Sequence, residues 1–237
     1  MDIFEILGYK DRVKPYDKRV PKTNLFVAGE LTKAERDLLT DRVEEVRLAY
    51  VLNKYTLTMN EVVSSEEHYD SILWVLVSLR SEVSISKLSR IIQETLPSPT
   101  LIIFELDGKY LFSSALKRLS KSEKGKAVVE EYHHSHWIDV ETNGGFIPSI
   151  SLSTTPTIDY KQAYEYIHRR IYEEKHSDIV AEIAADNFDE LKIKTEIELV
   201  CQREIERLTK LINQKSLPLR EKMELAKRIK KITDERV

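Results

Sequence analysis

The run ILWVLVSL at Ile72–Leu79 is the longest apolar stretch of the chain and constrains it most. It is far short of the roughly 20 apolar residues that a helix needs to span a bilayer. A short apolar run of this length reads as a buried strand, and a buried strand has to be covered by other elements. The next segment, SISKLSRIIQETLP at 84–97, places Leu88, Ile91, Ile92 and Thr95 on one helical face. Pro97 and Pro99 stop that helix. TLIIFELDGKYLFSSALKRL at 100–119 then reads as two strands joined at Asp107-Gly108, a strong hairpin signal. VVEEYHHSHWIDV at 128–140 alternates enough to add a further strand.

Upstream, MDIFEILG suits a short helix, and KDRVKPYDKRVPKTNLF is basic and held extended by Pro15 and Pro21. Thr32 with Glu35 three residues on forms a capping box. Leu38, Leu39, Arg42, Val43, Val46, Ala49 and Tyr50 follow at helical spacing, which predicts one helix running through TKAERDLLTDRVEEVRLAYVLN. Asn143-Gly144-Gly145 is a turn, and 147–157 has no helical pattern and two prolines. Beyond Asp159 helical patterns dominate: 159–175, 177–188, about 189–213 and about 218–235.

The fold class expected is α+β. A small mixed sheet of about four strands with covering helices fills 1–147, 148–157 is a linker, and 158–237 is helical. The last region ends in an antiparallel, coiled-coil-like hairpin at about 189–235. Its seam is Leu208, Leu211 and Ile212, then Leu217, Leu219, Met223, Ala226, Ile229 and Ile232.

Composition narrows the chemistry. The 237 residues are 32% charged with a net charge of -3, so nucleic-acid contact would rest on local patches. Six glycines, no Walker A loop, no dinucleotide glycine pattern and no HExxH leave no cofactor expected. Cys201 is the single cysteine, which excludes an intrachain disulfide and a Cys-rich zinc site and suits a reducing, cytoplasmic setting. The N-terminus lacks the basic start and apolar core of a secretory signal. In YHHSHW, His134 and His136 would share a strand face, but no carboxylate stands at ligand spacing beyond Glu130 and Glu131, and no metal site is expected. Asp70, Glu105 and Asp107 are the acidic residues that a metal-dependent nuclease would have to bring together beside a lysine.

Two basic clusters remain: Lys14, Lys18, Arg19 and Lys22 around Tyr16, and Lys117, Arg118, Lys121, Lys124 and Lys126. From them Lys18, Arg19, Lys22, Lys117, Arg118 and Lys121 are the candidates for phosphate contact. Leu208, Ile212, Met223 and Ile229 are the candidates for packing against a partner.

The ordered set KRVPK, VEEVRLAYVLN, ILWVLVSLR, LPSPTLIIF, YHHSHW and EIERLTKLINQKSLPLREKMELAKRIKKI resembles the bacterial family called domain of unknown function 4391. The hairpin turn departs from the family's Gln-Phe-Asn-Arg-like pattern and keeps only Arg220, Lys222, Glu224 and Leu225. The resemblance supplies no catalytic residues. It implies a non-enzymatic accessory subunit of an anti-phage defence or restriction-type DNA-processing system, beside a helicase-like ATPase or a DNA methyltransferase. A metal-dependent nuclease and a homodimeric scaffold without a DNA role are the alternatives.

Overall fold

The computed structural model describes residues 2–82, 84–121, 127–141, 145–213 and 218–234. Lys124 and Lys126, the turn at Asn143-Gly144 and the connection at 214–217 lie outside them. The chain divides into a first unit, Met1–Lys175, and a second, His176–Val237.

The first unit contains α1 (Ile3–Ile6), β1 (Lys18–Arg19), α2 (Lys22–Ala28), α3 (Lys33–Arg42) and β2 (Val43–Leu52). Then come β3 (Val62–Val63), β4 (His68–Tyr69), β5 (Ile72–Leu79), α4 (Ile85–Thr95), β6 (Thr100–Leu106) and β7 (Lys109–Leu119). β8 (Ala127–His134), β9 (Ile138–Asp139), α5 (Phe146–Ser149) and α6 (Tyr160–Lys175) complete it. The main sheet has seven strands rather than about four, in the order β1-β2-β5-β6-β7-β8 with β9 paired to β7. It is mixed: β5 and β6 are parallel, joined through α4, and the other pairings are antiparallel. β3 and β4 form a separate ribbon.

The apolar run that sets the fold is buried on both faces. Trp74, Leu101, Ile103 and Phe112 point into a core shared with Ile3, Phe4, Tyr9 and the α6 residues Tyr164, Ile167 and Ile171. Val75, Val77, Ile102, Phe104 and Leu111 point into the opposite core with Leu25, Leu39, Leu88 and Ile92. Strict alternation between two dry faces explains why β5 and β6 read as continuous hydrophobic runs. Asp107 (φ 51) and Gly108 (φ 77) make the tight turn expected between β6 and β7, with Leu106 opposite Lys109.

One expectation is corrected. The capping box forms as read, with the Glu35 N–H donating to Thr32 Oγ1 and the Thr32 N–H donating to Glu35 Oε2. The helix it starts nevertheless stops at Arg42, and Val43–Leu52 is a strand. Register shifts between Val43 and Glu45 and between Leu48 and Tyr50 let a strand bury residues at a spacing that imitates a helix. The segment 148–157, read as a linker, packs within the first unit. Ile150 and Leu152 are buried in the α6-side core, and the Leu152 N–H donates to Leu7 O at 2.9 Å.

α6 is seated on the sheet by a polar contact as well as by its apolar face. The last β6–β7 pair is Leu101 opposite Ser114, so the next rung would join Thr100 and Ala115. The Tyr164 hydroxyl sits there. It accepts the Ala115 N–H at 3.1 Å, and its proton lies within reach of Ala115 O at 2.7 Å and Thr100 O at 3.1 Å. Gln93 Nε2 of α4 donates to the same Thr100 carbonyl at 2.9 Å from the opposite layer.

The second unit contains α7 (Ser177–Val180), α8 (Phe188–Ile212) and α9 (Leu219–Asp234). The helical pattern at 177–188 therefore yields only one short turn. Asn187 caps α8, its side chain accepting the Glu190 N–H at 2.9 Å. α8 and α9 pack as the antiparallel pair expected, with Arg228 bonded to Glu204 at 3.0 Å. Among the described residues no helix is long and apolar enough to cross a membrane.

Tyr164→Phe removes the hydroxyl that completes the rung and leaves the buried Ala115 N–H without its acceptor. The expected cost is about 1–3 kcal/mol, the range for a buried backbone group left unsatisfied. Urea unfolding of the full chain, followed by tryptophan fluorescence, measures it.

Candidate functional site

Among the described residues, a group of side chains able to hold a metal ion lies under α6, where sequence alternation on β8 meets one turn of helix. Residues two apart on a strand share a face, so Glu131 and His133 both turn toward α6. On α6, His168 is one turn beyond Tyr164 and belongs to the same buried stripe. Glu131 Oε1 and His133 Nε2 are 3.0 Å apart. The His133 and His168 rings lie 4.5 Å apart, centre to centre. One ligand atom from each of the three residues lies within 4.8 Å of the others. Ser114 of β7, itself fully buried, shares a 2.9 Å hydrogen bond with His168 Nδ1. Tyr172 closes the cluster, edge-on to His133 at 4.7 Å.

His134 and His136 do not share a strand face. β8 ends at His134, and His136 is exposed beyond it. His134 turns to the α4 side, where Nε2 lies 3.4 Å from Ser86 Oγ, and burial holds its pKa below the ordinary value. His168, 34 positions beyond the last strand histidine, carried no signal in the sequence beyond its place in the α6 stripe.

The two basic clusters are held apart. β1 is an edge strand of the main sheet and β7 lies four strands away, roughly 19 Å at ordinary strand spacing. Most of the candidate cations are also engaged within the chain. Arg19 pairs with Glu45 at 3.6 Å, and Lys22 donates to Val43 O. Arg118 pairs with Glu130 at 2.9 Å and Lys121 with Glu66 at 3.5 Å. Lys18 lies over the Tyr16 ring at 4.8 Å. Lys117 turns inward and donates to Leu96 O at 2.6 Å and Ser98 O at 3.0 Å, so it caps the end of α4 and does not face solvent phosphate. Arg80, isolated from both basic clusters in sequence, joins Arg19 and Lys22 in an open cleft of about 450 Å³ beside Glu44 and Glu45. Burial, with Arg80 and Arg19 nearby, holds the Lys22 pKa below its ordinary value.

The acidic residues of the nuclease alternative are not gathered. Asp70 lies just before β5, and Glu105 lies opposite Ser78 at the far end of the β5–β6 pair. Asp107 occupies the hairpin turn. Asp70 instead bonds Ser71 at 2.8 Å and His68 at 3.1 Å.

In the helical unit, Leu208 is fully buried, Ile212 and Ile229 are half-buried, and Met223 is exposed. α8 presents Ile193, Ile197 and Val200, spaced by four and three, as a further exposed apolar stripe. α9 has no buried residue, and its Leu219 and Met223 are 76% and 57% exposed.

A family model described as a domain of unknown function, DUF4391, matches residues 14–235. No curated protein and no solved structure matches the chain.

Burial pushes the Lys117 ammonium from its ordinary 10.5 down to about 7. Between those values the unfolded chain binds the proton that the folded chain has released. Stability therefore rises from about pH 7 to about pH 10.5 on this residue's account, and levels off at its lowest below about pH 7. Lys117→Met should flatten that part of the stability profile, read from urea midpoints across the range.

Proposed function

Because the chain belongs to the DUF4391 family, whose description carries no activity, we propose from its geometry that it is a non-enzymatic accessory subunit that binds a larger protein through its C-terminal hairpin. One observation carries this reading: α9 packs on α8 with Leu225, Ile229 and Ile232 only half-buried and no residue fully buried, and its Leu219 and Met223 stand in solvent. Isolated helices draw most of their stability from packing an apolar face, so such a face calls for a second surface. The charge around it specifies that surface. Along α9, Arg220, Lys222, Lys227, Arg228, Lys230 and Lys231 outnumber Glu221, Glu224 and Asp234. A partner with an apolar strip rimmed by acidic residues complements this helix, whereas a second α9 would bring like charge against it.

The family resemblance supplies the setting of the proposal: a bacterial anti-phage or restriction-type system, with a helicase-like ATPase or a DNA methyltransferase as the partner. A second role, contact with the DNA phosphate backbone, rests on the cleft that gathers Arg19, Lys22 and Arg80.

The test is co-purification of the full chain from its own host, with the double variant Leu219→Glu and Met223→Glu beside it. Both side chains are exposed, so the variant keeps its fold. The reading expects an ATPase or methyltransferase in one-to-one amount with the native chain, weakened by raised salt and lost from the variant. Equal recovery by both proteins contradicts it. DNA affinity unchanged by Arg19→Glu with Arg80→Glu removes the phosphate contact.

A further inference from the structure

The cluster beneath α6 is used by neither the hairpin nor the basic cleft. We propose that Glu131, His133 and His168 bind a divalent first-row transition-metal ion, zinc being the one that fits best, and that Ser114 orients His168 for it. The site is independent of the docking proposal, and each can fail without the other.

Four observations support it. The donor atoms converge from two elements that only the fold brings together, β8 and α6, to within 4.8 Å of one another. A tetrahedral zinc site with bonds of about 2.0–2.1 Å needs its donors about 3.4 Å apart. Glu131 and His133 are already at 3.0 Å, and closing the set from its outer bound of 4.8 Å needs donor movement of up to roughly 1.4 Å.

The donor types also choose the ion. Two imidazoles and one carboxylate suit zinc and its transition-metal neighbours, while magnesium and calcium prefer oxygen ligands throughout.

Third, the outer partner of a metal-bound histidine is present. Ser114 Oγ lies 2.9 Å from His168 Nδ1, and both residues are buried. With the metal bound, Nδ1 carries the proton and donates to Ser114, and ligation runs through Nε2. Partners of this kind fix the tautomer and the ring plane of metal-binding histidines.

Burial is graded across the cluster. His168 is 1% exposed, while the His133 and Glu131 side chains are 13% and 28% exposed. Three protein donors leave a tetrahedral ion one position for water, and the Glu131 side is where solvent reaches. Closed structural zinc sites use four protein ligands; an open position is the arrangement of sites that activate water.

The experiment titrates the untagged full chain, freed of metal by a chelator, with Zn²⁺ against a competing chromophoric chelator. Co²⁺ provides a second readout through the visible bands of a tetrahedral ion. One equivalent should bind. Glu131→Gln and His133→Gln should each abolish tight binding, and Ser114→Ala should weaken it about 10- to 100-fold. His134→Gln and His136→Gln should leave it unchanged. Glu131→Gln is the decisive variant, since it keeps shape and removes only the charge and one donor, and its melting temperature without metal reports that it is folded. Failure of the native chain to bind one equivalent overturns the proposal. So does binding that survives both Glu131→Gln and His133→Gln, or binding lost in His136→Gln.

Discussion

The first unit depends on how one helix is seated. The Tyr164 hydroxyl occupies the place of the next rung in the β6–β7 ladder, between Thr100 and Ala115. A hydroxyl there satisfies backbone groups that would otherwise be buried without partners, which costs more than an ordinary hydrogen bond returns. Its position fixes the rotation and height of α6 on the sheet. Given that rotation, the next turn brings His168 over Ser114 and His133, and the turns around it bring Ile167 and Ile171 into the core. Position in the fold and position in the candidate metal centre are thus set by the same contact.

Much of this was legible in the residues, and what was not has identifiable causes. Thr32 with Glu35, Asp107 with Gly108, and the apolar run at Ile72–Leu79 each encode their structure locally, and each forms as read. Val43–Leu52 misleads because two irregularities in its pairing with β5 reset which face each residue takes. Val43 and Val46 then enter the same core at a spacing of three, which in sequence is a helical signature. The short strands β1, β3, β4 and β9 are two residues each, too short for any periodicity, and β1 and β9 account for part of the excess over four strands.

The candidate sites divide in the same way. The hairpin could be found from spacing because α8 and α9 are consecutive and locally patterned. The histidine cluster could not, since its third member comes from α6, and the histidines nearest in sequence, His134 at the end of β8 and His136 beyond it, have different surroundings. Basic residues misled in a subtler way. A cluster such as Lys117, Arg118 and Lys121 looks like a phosphate track. In the fold each is occupied: one caps α4, one pairs with Glu130 and one with Glu66. Exposed ion pairs of this sort contribute little stability, yet they neutralise cations that a phosphate would need. That contrast, charge satisfied within the first unit and apolar surface left over in the second, favours a protein partner for the hairpin.

The central claim is that the exposed face of α9 serves a different protein and not a second copy of this chain. Light scattering on the purified full chain, coupled to size-exclusion chromatography, tests it most directly. The account predicts a monomer of 27.6 kDa across the accessible concentration range. A stable dimer that becomes monomeric on Met223→Glu would contradict it and identify the hairpin as a self-association surface.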